Sequence, residues 1–93
     1  MRANQPSMKL AELATGAQAR VVSVSSPEGA SGPHELGRRL AELGFLPGET
    51  VRIVARGVMA REPIAVRIGT GTFALRLFEA ACIRVALEQP LLG

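Results

Sequence analysis

At 93 residues with 47% apolar content, the chain is expected to fold as one domain around a single small core; its net charge of +3 is too low for the disordered class. It contains one histidine, one cysteine and no aspartate, tyrosine or tryptophan, so no nucleophile with its base is visible and no enzyme is expected. A pI of about 10.5 invites an anionic partner, although all basic residues but Lys9 are arginine, a bias that genome base composition is able to produce.

Residues 1–7 are polar and precede a second candidate start at Met8, which predicts a loose N-terminal tail. No stretch has the apolar core of a signal peptide or the eighteen or so apolar residues of a membrane span, so a cytoplasmic protein without membrane insertion is expected. A single domain over 8–88 follows, with 89–93 as a C-terminal tail after Pro90.

Leu10 and Leu13 fit one helical turn, and Thr15 and Gly16 break it. Residues 17–25 carry the β-branched enrichment of a strand. Val21, Val22 and Val24 cannot share one face under a period of two, so either both faces are covered or a bulge sits there. "SSPEGASGP" is a loop by composition. A helix over about 33–43 follows, with Pro33 suited to its first position and Glu35 near its positive end. Leu36, Leu40 and Leu43 line one face, while pairs Glu35–Arg39 and Arg38–Glu42 are spaced to hold each other on the solvated face.

The segment "RLAELGFLPGETVRIV" is the most informative. Gly44 is placed to end the helix in a left-handed conformation, with Phe45 packing back on Leu40, and Pro47 and Gly48 fill the centre of a type II turn over residues 46–49. The chain then enters a strand where Val51, Ile53 and Ala55 alternate with Arg52, Val54 and Arg56. Three more alternating strands follow: "PIAVRIG", "TFALRL" and "CIRVAL". A tight turn at 69–71 and one helical turn at "FEAA" connect them. Such a meander, preceded by a strand and a short helix, predicts a mainly β fold: a small closed or nearly closed barrel with the helix plugging one end or side.

Cys82 lies in "ALRLFEAACIRVAL", where a small buried thiol is expected. "GTGT" lacks the spacing and lysine of a phosphate loop. His34 and Glu35 are adjacent, where side chains diverge, so no metal is required; the only metal site this pattern allows is a surface ion shared with a second chain. Arg52, Arg67, Arg76 and Arg84 alternate outward, as a polar outer face or as a basic stripe for phosphate, an acidic protein or an anionic membrane. With three phenylalanines in all, two of them reading as buried, stacking of single-stranded nucleic acid and capture of proline-rich peptides are disfavoured, and no tight nucleic-acid binding is expected.

Assembled, "LAELATGAQARVVSV", "LGRRLAELGFLPGETVRIV" and "PIAVRIGTGTFALRLFEAACIRV" resemble the FeoA family, the small cytosolic accessory proteins of bacterial ferrous iron uptake, over about residues 8 to 87. The resemblance implies an SH3-like barrel, no catalysis, and regulation of the membrane permease FeoB, which carries a cytoplasmic GTP-hydrolysing domain; no cofactor is expected. Leu40, Gly44, Phe45, Pro47, Gly48 and Leu75 match the family pattern, with structural roles. The family often has Gly-Asp before the third-strand proline, where this chain has Arg61 and Glu62. Iron-dependent repressors carry a similar barrel after DNA-binding and dimerisation domains. A freestanding relative of that barrel, or a basic barrel for nucleic acid, is the alternative function. For partner contact, the candidates are Val58 and Met59 at a hairpin tip, rimmed by Arg56 and Arg61, together with helix residues Arg38 and Arg39. A monomer or weak homo-oligomer is expected.

Overall fold

The computed structural model describes residues 7–25, 33–58 and 62–88. Its elements in chain order are β1 (Met8–Lys9), a 3-10 turn (Leu10–Glu12), β2 (Gln18–Val24), α1 (Pro33–Leu43), β3 (Thr50–Arg56), β4 (Ile64–Ile68), β5 (Gly71–Leu75), α2 (Leu77–Ala80) and β6 (Ile83–Leu87). The fold is mainly β. All strand pairs are antiparallel, in the order β1-β6-β2-β3-β4-β5.

The sheet is open, which corrects the expectation of closure. β1 supplies only two paired residues before the chain leaves for the 3-10 turn, too short a strand to meet β5 at the other edge. α2, which follows β5, packs instead against the 3-10 turn, which follows β1.

Alternation along the strands sends one set of side chains inward. Val51, Ile53, Ile64, Val66, Ile83 and Val85 form the core with Leu10, Leu13, Leu40 and Phe45. No charged or polar side chain among the described residues is fully buried. Burying a Leu, Ile or Phe contributes about 1.5–3 kcal/mol each, so this cluster supplies most of the drive to fold.

The helix-to-strand corner is built as the sequence requires. The Phe45 amide donates to the Leu40 carbonyl at 3.1 Å, and the Gly44 amide donates to Ala41 at 3.0 Å, the paired bonds of a Schellman stop. Gly44 has φ +116, a conformation that costs any residue with a Cβ. The Glu49 amide then donates to Leu46 at 3.0 Å, closing the turn around Pro47 and Gly48. That turn is tied to β2: the Gly48 amide donates to the Val21 carbonyl and the Val21 amide to the Glu49 carbonyl, both at 2.8 Å. The abrupt stop thus delivers the chain into pairing with β2 at the point where β3 begins.

Two bulges set which side chains face out. In β2 the register with β6 shifts between Val21 and Ser23, so Val21 is buried and Val22 is exposed, resolving the valine conflict in favour of a bulge. In β3 the register with β4 shifts between Ile53 and Ala55. Ala55 therefore lies outward and Arg56 turns toward the core side, the reverse of simple alternation. β5 also ends earlier than the alternation implies: Leu77 belongs to α2, and Arg76 precedes that helix rather than lying in a strand.

Candidate functional site

The β3–β4 hairpin, singled out from sequence as a partner surface, splits into parts with different roles. Val58 is 95% exposed, at the start of the tip. Met59 and Arg61 lie outside the described residues. Arg56 is no rim residue: its Nη2 donates to the Ala11 carbonyl at 2.9 Å and also to the Leu13 carbonyl. The β3 bulge aims Arg56 at this target, so its guanidinium ties the end of β3 to the 3-10 turn. Gly57 is pressed against the returning strand, where a Cβ would sit 1.7 Å from the Glu62 carbonyl oxygen. Only glycine permits that approach.

Glu62, which stands where the resemblance led one to expect aspartate, has a visible task. Its Oε1 accepts from Arg76 Nη1 at 3.0 Å and its Oε2 accepts from the Leu77 amide at 3.2 Å, at the N-terminus of α2. The Glu79 carboxylate accepts from the Arg76 amide at 2.8 Å. Two carboxylates thus satisfy amides that the first turn of α2 cannot pair internally. No local pattern in the sequence indicates the Glu62 contact, because its partners lie 14 and 15 positions later.

On α1, Arg38 lies 3.7 Å from Glu42, as the spacing predicted. Arg39 does not pair with Glu35; it reaches Glu79 on α2 at 4.0 Å. Both arginines remain exposed. The described part of His34 is backbone in the first turn of α1, beside an exposed Glu35. Among the described residues, no three His, Cys, Asp or Glu side chains converge.

Cys82 is buried, with its thiol donating to the Phe78 carbonyl at 3.3 Å. Burial, and secondarily the charge of Glu79, push its pKa above the ordinary thiol value, the opposite of an activated nucleophile. Phe45 and Phe73 form an edge-to-face pair with centroids 6.2 Å apart, whereas Phe78 is 61% exposed.

The remaining strand arginines are the part that sequence alone did not assemble. Arg52 on β3 lies directly opposite Arg67 on β4, and Gln18 on β2 lies on the other side of Arg52. With Gly48, Glu49, Thr50 and Gly69, they line a surface groove of about 470 Å3. At the far end of the sheet, Lys9 on β1 lies opposite Arg84 on β6.

A FeoA domain model matches residues 8–87, nearly the whole chain. The chain belongs to the FeoA family. Among solved structures, the zinc-complexed FeoA of Stenotrophomonas maltophilia is similar at 40% identity and a TM-score of 0.74, over 88% of this chain and 96% of that one. That protein is described as an SH3 domain protein and a candidate ferrous iron transport activating factor. Iron(II) transport protein A of Clostridium thermocellum is similar at 36% identity and a TM-score of 0.72, over 86% of this chain and 45% of that one. A manganese-dependent transcriptional repressor shares the fold at 22% identity and a TM-score of 0.75, over 92% of this chain and 44% of that one. No curated protein sequence matches this chain significantly. The FeoA chain described here therefore has the SH3-like architecture, in an open-sheet form, and the family links it to ferrous iron transport. Among its described residues, no helix is long and apolar enough to cross a membrane.

Proposed function

We propose that this FeoA protein is a cytoplasmic, non-catalytic accessory of ferrous iron uptake that acts as a single domain over residues 8–88 by binding a FeoB-type permease on its cytosolic side. The observation that carries the reading is the family match over residues 8–87. The charge pattern fits a protein partner: of ten arginines, the described ones are spread over strands and helix, and no aromatic platform accompanies them, since Phe45 and Phe73 pack together inward.

Within this reading the permease contact includes the hairpin tip at Val58 with Met59 and Arg61, and the exposed Arg38 and Arg39 on α1. Val58 supports the assignment because a β-branched side chain at 95% exposure gains nothing from folding and gains burial when a partner covers it. Arg56 contributes indirectly, by fixing the hairpin from which Val58 projects.

The test is capture of a FeoB cytosolic domain by the purified protein, with and without guanine nucleotide, alongside iron uptake in cells. Val58→Ser with Met59→Ser is expected to leave the melting temperature within about 2 °C, because removing exposed apolar groups perturbs stability little, and to weaken both capture and uptake. Full capture and uptake by the double variant would remove the tip from the contact, and absence of capture by the unmodified protein would remove the permease.

A further inference from the structure

The groove between the β3–β4 pair and the turn after α1 carries an unusual arrangement of charge. Arg52 and Arg67 are direct cross-strand neighbours on the outward face, and both side chains are exposed. Like charges placed directly opposite each other repel, and this geometry is ordinarily avoided. Five other described arginines have found an oxygen, Arg20 pairing with Glu88 at 2.8 Å, Arg38 with Glu42, Arg39 with Glu79, Arg76 with Glu62, and Arg56 with two carbonyls, while Arg84, opposite Lys9 on β1, shares the like-charge setting of Arg52 and Arg67. Neither Arg52 nor Arg67 makes an ion pair or side-chain hydrogen bond among the described residues. Glu49 lines the same groove yet lies beyond ion-pair distance of both.

The surroundings narrow what could bind there. A phosphate is usually cradled by free backbone amides, but those of the adjoining turn are consumed: Gly48 donates to Val21 and Glu49 to Leu46. Two planar guanidinium forks side by side each take a carboxylate bidentately, as they would a phosphate, and with the turn amides consumed the carboxylate is the better match. Next to them along the same face of the sheet, the strand positions are small: Ala55, Ala65 and Ala74 lie side by side across β3, β4 and β5, with Ala55 and Ala74 exposed. A flat alanine strip beside an arginine pair accommodates an extended chain. No aromatic ring stands on this face to stack a base, since Phe45 and Phe73 pack in the core and Phe78 belongs to α2.

We propose that the Arg52–Arg67 groove is a docking site for an acidic protein segment, an extended peptide presenting two closely spaced Glu or Asp carboxylates to the two guanidinium groups. The site is separate from the Val58 tip and holds whichever protein supplies the segment. It also accounts for the retained repulsion: the pair is poised for an anion that neutralises it on binding.

A fluorescein-labelled hexaglutamate peptide, titrated at 50 and 150 mM salt and followed by anisotropy, is the direct probe, with the arginine Nε–H resonances of the 15N-labelled protein as the site readout. Saturable one-to-one binding is expected, with the Arg52 and Arg67 resonances shifting first. Arg52→Gln with Arg67→Gln should weaken binding at least tenfold. Lys9→Gln with Arg84→Gln removes the same charge from the other cross-strand pair and should change it less than twofold. Arg52→Lys with Arg67→Lys keeps charge, loses the forks, and should fall between. Equal losses in the two Gln pairs would reduce the effect to net charge and overturn the proposal, as would full binding by the Lys pair. Inorganic pyrophosphate binding at least tenfold tighter than hexaglutamate, and lost with the Arg52→Gln and Arg67→Gln pair, would reassign the groove to phosphate.

Discussion

Replacing Arg56 by methionine separates two roles that the sequence left entangled. Methionine keeps an unbranched apolar stem of similar reach, so the packing of the aliphatic part survives and the change removes mainly the guanidinium. Two donated hydrogen bonds disappear, to the Ala11 and Leu13 carbonyls, and Leu13 is itself buried. Hydrogen bonds from a charged donor contribute about 1.5–3 kcal/mol each at best, and partial solvent access around Arg56 brings the expected total to about 2–4 kcal/mol. A domain of this length holds roughly 5–14 kcal/mol in all, so the variant should remain folded at room temperature but much less secure. At 4–8 °C per kcal/mol, the melting temperature should fall on the order of 10–30 °C. Thermal unfolding followed by far-ultraviolet circular dichroism reads this directly, and urea unfolding should show a lower midpoint at unchanged slope. Arg56→Lys, able to reach one carbonyl, should lose roughly half as much. A methionine variant that melts within about 2 °C of the original while losing FeoB capture would refute the strut and return Arg56 to the partner surface.

Other outcomes follow from the same contacts. Gly57→Ala places a Cβ against the Glu62 carbonyl and must displace the hairpin, so a clear drop in melting temperature and altered amide shifts around residues 55–64 are expected, whereas unchanged shifts would contradict the close approach. Phe45→Ala removes a fully buried ring and its partner contact with Phe73, which should cost about 3–5 kcal/mol by urea titration. The Cys82 thiol has a raised pKa in the folded state, so its contribution to stability is complete below the ordinary thiol pKa and is lost as pH climbs through the folded value; a thiolate reagent at pH 8 should label the folded protein far more slowly than the urea-unfolded chain. Melting should be unaffected by a chelator, and binding to generic duplex or single-stranded DNA should vanish at 150 mM salt, because only a handful of phosphates can be neutralised.

The sequence by itself determined the local decisions. Gly44, Phe45, Pro47 and Gly48 specify a stop and a turn through backbone conformations few other residues adopt, so that corner follows from residues within one short window. Strand alternation likewise marks Val51, Ile53, Ile64, Val66, Leu75, Ile83 and Val85 as inward, and these are buried, because a period of two needs no knowledge of the partner strand; at the end of β6 the rule fails, with Leu87 exposed and Ala86 buried. What tertiary structure decided was everything that depends on which strand lies beside which. The bulge at Val54 reverses Ala55 and Arg56, and a bulge is a mismatch in length between two strands, invisible in either one. The open edge depends on how little of β1 pairs and on α2 meeting the 3-10 turn. Glu62 caps a helix 15 residues onward, and Arg39 chooses Glu79 over Glu35, because through-space distance rather than spacing along the chain selects the nearest charge. Arg52 and Arg67 are fifteen positions apart in sequence; antiparallel register alone makes them neighbours, and the groove they line exists only at that register.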